Sequence, residues 1–122
     1  MLTLKLLIMT NRLLSSSTLV GTSVENASGD NLGKIEDLMI NWKEGKVAYA
    51  VLSFGGFLGM GDKYFAVPIQ SFKSCSDPDR EVLVLNESKE RLENSPGFDK
   101  DHWPSSADNV FTEKVYKHYN VL

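Results

Sequence analysis

Cysteine, histidine and proline are scarce in this chain of 122 residues: one cysteine, Cys75, two histidines, His102 and His118, and four prolines. A lone thiol excludes an internal disulfide and any cysteine-based metal framework, and a reducing compartment, the cytoplasm, is expected. Positive charge is also short, with 13 Lys and Arg against 16 Asp and Glu and no basic cluster. Phosphate binding needs a basic face that releases counterions, so nucleic acid is excluded as the main ligand. Long apolar runs are missing. The strongest, residues 6–9, lies between Lys5 and Arg12, far below the about 20 apolar residues of a spanning helix, so no transmembrane segment is expected. Lys5 would suit a signal peptide, but Ser15-Ser16-Ser17 is a poor cleavage site. Leu2, Leu6, Met9 and Leu13 share a helical face suited to weak surface association. Residues 1–18 are read as a flexible leader, with Met1 or Met9 as the start.

What is present is organised around residues 45–68. Val47 to Phe54 is β-branched, aromatic and small, without a charge and bounded by glycines. It reads as a central strand covered on both faces. Tyr64 to Val67 is a second short strand, ended by Pro68, which has no N–H to give a ladder. The loop between them interleaves Gly55, Gly56, Gly59 and Gly61 with Phe57, Leu58 and Met60. Glycine turns the backbone, whereas three bulky apolar side chains need burial.

Three segments carry a likeness to a known family: Leu32-Gly33-Lys34-Ile35-Glu36-Asp37-Leu38, then Val47-Ala48-Tyr49-Ala50-Val51-Leu52-Ser53 with the Gly-Gly-Phe-Leu-Gly loop, then Phe65-Ala66-Val67-Pro68 followed by Ile69. With Leu92 and Trp103-Pro104 downstream, residues 19–104 resemble the PRC-barrel family. That small β-barrel is named after the cytoplasmic domain of the photosynthetic reaction centre H subunit and is found also in a ribosome maturation factor. The resemblance implies a mainly β fold, a small antiparallel barrel, and members that are mostly adaptors with unrelated partners.

The remaining chain is read on that frame. Residues 19–26 are expected to form a first strand and Ser28-Gly29-Asp30-Asn31 a hairpin turn. In the second strand Ile35 sits on one phase of the alternation while Leu38, Ile40 and Trp42 sit on the other, a slip that a one-residue bulge near Glu36-Asp37 explains. Lys43-Glu44-Gly45-Lys46 turns the chain antiparallel into the central strand. Ile69 and Phe72 should drop onto the open end of the barrel, and residues 81–86 form the last strand. Ser88 caps a short helix over residues 88–94 that Leu92 must anchor, and Pro96-Gly97 ends it. By analogy with the family, Phe98 and Trp103-Pro104 close the base. Residues 105–122 form a tail, helical with Phe111, Val115, His118 or Tyr119, and Leu122 on one face, docking on its own barrel or on another. Five or six strands are expected. Because the central and last strands are apolar on both phases, a homodimer is expected as well.

No catalytic constellation is legible. Gly56 and Gly61 have the spacing of a phosphate loop, but Asp62-Lys63 follows, and a strand rather than a helix comes next. Asp99, Asp101 and His102 could hold a divalent cation if the loop folds around it, although such residues more often face water. Cys75 has no base near it in sequence, and Glu36 and Asp37, as strand neighbours, point to opposite faces. No cofactor and no enzyme activity are therefore expected. The leading reading is an interaction or adaptor module that self-associates and presents Phe57, Leu58 and Met60, flanked by Phe54 and Tyr64, to a protein partner of unknown identity. The alternatives are a metal-dependent sensor or small enzyme built on Asp99, Asp101 and His102, and a peripheral assembly factor of a membrane complex.

Overall fold

The computed structural model describes residues 14–54, 63–75, 77, 79–105 and 109–121. The chain opens with a helical turn, α1 (Ser16–Leu19), where a strand was expected from residue 19. The cause is local: Ser15 stands outside the turn and its hydroxyl accepts from the Thr18 amide at 3.2 Å, an N-cap that favours helix over strand. The first strand, β1 (Ser23–Glu25), is correspondingly short. Asn26 then organises the turn, its side-chain oxygen accepting from the amides of Ser28 and Asp30 at 3.1 and 2.9 Å.

The long strands β2 (Asn31–Asn41) and β3 (Lys46–Phe54) form the expected antiparallel hairpin. Its turn is pinned by Asn41, whose carbonyl accepts from Gly45 and whose side chain exchanges hydrogen bonds with Glu44. The ladder slips between Ile35 and Asp37, so Glu36 is the bulged residue, and it slips again between Met39 and Ile40. Each slip bends the strand, as a curled sheet requires. Strand β4 (Lys63–Val67) pairs with β3. After Pro68, a 3-10 turn (Ile69–Ser71) leads into β5 (Phe72–Ser74), with Ile69 and Phe72 packed on the core as expected. Strand β6 (Val82–Leu85) follows, then α2 (Lys89–Glu93), capped by the Ser88 hydroxyl and anchored by the fully buried Leu92. The chain ends in β7 (Gly97–Asp99) and α3 (Asn109–His118).

Seven strands among the described residues form one sheet in the order β5-β6-β1-β2-β3-β4-β7, antiparallel throughout except for the parallel pair β1 and β6. Strands β5 and β7 are additions to the expected count. At three residues each they are too short to carry an alternation that a sequence could reveal. One core holds Leu83 and Leu85 of β6 together with Phe65 and Val67 of β4, strands separated in the ladder by β1, β2 and β3. Only a sheet curled around that core can bring them together. The ladder has no pairing between β5 and β7, so the curl is barrel-like without being closed by hydrogen bonds.

The opposite phase of β3 and β4 forms a second core of Tyr49, Val51, Tyr64 and Ala66, joined by Phe98 and Val115. Helix α3 lies on it within the same chain. Val115 is fully buried, and the Phe111 ring meets Tyr49 and Phe98 edge-on at 5.9 and 6.0 Å. The Tyr116 hydroxyl donates to the Ala48 carbonyl at 2.6 Å. Phe98 and Trp103 pack here on the outside with Tyr64, where the family analogy had put them at the base. The reason is β7: pairing with β4 sets Phe98 opposite Tyr64. Leu122 and the leader up to residue 13 lie outside the described residues.

Gly33 marks the tightest approach in the sheet. Its φ is +102°, and a Cβ there would sit 1.9 Å from the Ser53 carbonyl oxygen of β3. Gly33→Ala is expected to cost about 2–4 kcal/mol, since it adds a backbone clash to an unfavourable φ. Gly21→Ala, at φ +91° with nothing within 4 Å of the added carbon, should cost only about 1 kcal/mol. Urea midpoints with an unchanged slope measure both; equal losses would show that the contact with Ser53 is unimportant.

Candidate functional site

The apolar loop connects β3 to β4, and Phe57, Leu58 and Met60 lie outside the described residues. Its roots are fixed. Phe54 and Lys63 are register partners, so residues 55–62 leave and rejoin the sheet at one point on its rim. The two flanking aromatics serve opposite faces. Phe54 is half-buried on the inner core beside Phe65, with ring centroids 6.5 Å apart. Tyr64, only 9% exposed, belongs to the outer core, 6.0 Å from Phe98 and 5.5 Å from Trp103, with its hydroxyl 3.4 Å from the Glu36 carboxylate. Strand alternation separates them, because they are not an even number of ladder positions apart across the register. Beside the root runs a shallow groove lined by Asn31, Lys34, Glu36, Ser53 and Phe54.

The acidic and imidazole residues downstream are also placed. Asp99 ends β7, and the His102 amide donates to its carbonyl in a turn at 2.9 Å. The His102 ring stands 3.9 Å from the Asp99 carboxylate, with both side chains more than 70% exposed. Among the described residues no three His, Cys, Asp or Glu side chains converge as a metal site. Asp99 and His102 thus form a solvated pair at the surface, a contact of little energetic weight. Cys75 is a half-buried thiol just after β5.

A cluster that sequence reasoning missed lies where α3 ends. Glu87, in the connection from β6 to α2, has a side chain only 6% exposed, an unusual place for a carboxylate. Arg91 Nε lies 3.3 Å from its Oε2, and His118 Nε2 of α3 lies 4.0 Å from its Oε1. Neither has hydrogen-bond geometry, and only the Arg91 contact is an ion pair whatever the state of the imidazole. Glu87 Oε2, His118 Nε2 and the Tyr119 hydroxyl are each buried with no hydrogen-bond partner. A buried polar group left in that state costs on the order of 1–3 kcal/mol, so α3 docks at a penalty concentrated at its C-terminal end. Nothing in the sequence announces the cluster, because Glu87 and His118 are brought together by tertiary packing alone.

A second missed feature lies at the opposite end of the β2–β3 hairpin from the loop. Trp42 is 92% exposed and Ile40 57%, and both line a groove of about 540 Å³ with Met39, Asn109 and Thr112 at the start of α3. Here a signal existed: Ile40 and Trp42 continue the apolar phase of Leu38 past the point where the core can receive them.

With fold and surfaces described, comparison with known proteins places the chain. A model of the PRC-barrel domain matches residues 12–92, and the chain belongs to that family. The match covers the sheet from β1 to β6 and all but the last residue of α2, and stops before β7 and α3. No curated protein matches the chain. No helix among the described residues is long and apolar enough to cross a membrane.

Burial pushes the Tyr119 phenol up to about 12, with the Glu87 charge adding to the rise and Ser95 and Arg91 opposing it. The folded chain therefore holds this proton more tightly than the unfolded one, in which tyrosine ionises near about 10. The resulting stability, about 2–3 kcal/mol, is fully present below pH about 10 and is lost as pH rises through about 12. Tyr119→Phe should abolish that alkaline loss relative to the parent chain. At pH 7 its stability should stay within about 1 kcal/mol of the parent, because the buried hydroxyl beside Ser95 makes no well-formed hydrogen bond. Urea midpoints of both proteins across that range provide the check, and parallel curves would refute the assignment.

Proposed function

We propose that this PRC-barrel domain is a non-enzymatic interaction module that self-associates and offers Phe57, Leu58 and Met60 to a protein partner, with Phe54 and Tyr64 anchoring the base of their loop in the two cores. The observation that carries the loop part of this reading is the coverage of the central strands by the chain itself, which also removes the uncovered face from which a homodimer was expected. The inner phase of β3 and β4 is filled by the curled sheet and the outer phase by α3 and Phe98. With both faces occupied by described residues, a plug from the loop is not required. Three bulky apolar groups on a rim connection then fit a contact surface better than a cap. The family supports it too, since PRC-barrel domains are generally non-catalytic modules. The single thiol fits a reducing compartment, and we assign the domain to the cytoplasm on that ground.

The double change Phe57→Ser, Leu58→Ser tests the loop. If each apolar side chain hides on the order of 100 Å² against a partner, the gross hydrophobic term at about 25 cal/mol per Å² is several kcal/mol, ample to set an affinity. The variant is expected to melt within about 3 °C of the parent, as surface substitutions do. It should lose whatever protein the parent domain retains from its native lysate. A fall of about 10 °C or more, with retention unchanged, would instead make the loop a cap over its own core.

A further inference from the structure

The chain carries more acid than base, yet one groove concentrates positive charge with no acid in its walls. It has a volume of about 470 Å³ and runs between α3 and the connection from α2 to β7. Phe111, Lys114, Lys117 and His118 form one wall and residues 94–97 the other; Glu113 of α3 and Glu90 and Glu93 of α2 are not among them. Both lysines are exposed, and neither makes an ion pair among the described residues. Arg91 of α2 stands across Glu87 from His118 with its side chain 64% exposed, and brings a third permanent cation to the same corner. Glu87 itself is buried and held by Arg91, so it offers the lysines nothing. No sequence cluster announces this, because Arg91 and the two lysines meet through packing. Cations in a last turn often offset the carbonyl end of a helix, but here the chain closes that end itself. The amides of Tyr119, Asn120 and Val121 donate to the carbonyls of Val115, Lys117 and Tyr116, with Asn120 at φ +57°. Lys114 precedes that turn altogether.

We propose that this groove binds an acidic, extended peptide segment of a partner protein. Lys114 and Lys117, three residues apart on a helix, stand about 5–6 Å apart at their Cβ atoms. Carboxylates on alternate residues of an extended strand share one face about 6–7 Å apart. Two of them meet the two ammoniums without a bend, and the residue between them covers the half-buried Phe111 ring. A membrane surface is read by about four to eight clustered cations, and a nucleic-acid backbone by a broad basic face. Three cations around a trough suit a short acidic strand instead. Gly97 is the end of β7 away from the Lys63 and Asp99 pair at the loop root, so the groove is a surface separate from the Phe57, Leu58 and Met60 loop. The inference goes beyond the proposed function by giving the chemistry of a second contact.

The probe is a short peptide with Glu at every second position, Ala between and one central Leu, added to the isotope-labelled full chain and followed by amide chemical shifts. Shifts should be confined to residues 94–97 and 111–118. Replacing every Glu of the peptide by Gln, or changing Lys114→Gln together with Lys117→Gln, should weaken binding about fivefold or more, as should raising salt from about 0.05 to about 0.3 M. Lys114→Arg with Lys117→Arg keeps the charge and should bind as the parent does, which separates lost charge from lost folding. The groove is overturned if the Gln peptide binds equally well, if the Lys→Gln variant binds like the parent, or if the shifts fall elsewhere. Tighter binding of a single-stranded oligonucleotide or of phosphatidylserine vesicles at the same residues would overturn the acidic peptide as the occupant. The Phe57→Ser, Leu58→Ser chain should bind the peptide unchanged, which supports the groove whatever becomes of the loop; loss of peptide binding there would overturn it.

Discussion

Everything in this fold depends on keeping water off both faces of the β3–β4 pair. Val51, Ala50, Leu52, Ala66 and Val67 have essentially no exposed surface, and they alternate between two cores that do not touch through the sheet. The inner face is covered by curvature: bulged β2 wraps the sheet until β6 faces β4. Curvature cannot cover the outer face of the same strands, because bending a sheet around one side opens the other. A separate layer is then unavoidable, and α3 with Phe98 and Trp103 supplies it. The family match ends at residue 92, before β7 and α3, so the outer layer of this chain lies beyond the matched part.

Much of this was legible in advance where a local pattern carried it. The uncharged run into Phe54, the turn at Lys43 to Lys46, the phase slip at Glu36 and the Ser88 cap each rest on residues within a few positions of one another, and each stands in the structure. The short strands did not show, since three residues hold at most one and a half periods of alternation. The helical turn at Ser16 was masked by the β-favouring Leu19-Val20 that follows it. Phe98 was misplaced because its position is decided by pairing with Tyr64, far away in sequence.

The candidate site was less legible than the fold, for the same physical reason. Interleaved glycine and bulky apolar residues can be read as a rim loop in search of burial, but whether Phe54 and Tyr64 stand with that loop depends on phase. Phe54 follows the inner core and Tyr64 the outer one, so the loop is rooted between two packed layers. His118 and Tyr119 could be placed on the docking face of the tail helix, but their meeting with Glu87 left no trace in the sequence. Buried polar juxtapositions of this kind come from three connections converging, and no periodicity records them.

A barrel whose two faces are occupied by its own chain can offer partners only its ends. Those ends are built from connections, which carry no ladder and tolerate change in a way that β3 and β4 cannot. In this chain one end bears the glycine-rich loop between Phe54 and Lys63, and the other bears Trp42 beside the first turn of α3. The rigid pair between them holds the two ends at a fixed separation and carries no specificity of its own. Such a division of labour constrains the strands by burial and leaves the rim free to vary without cost to either core.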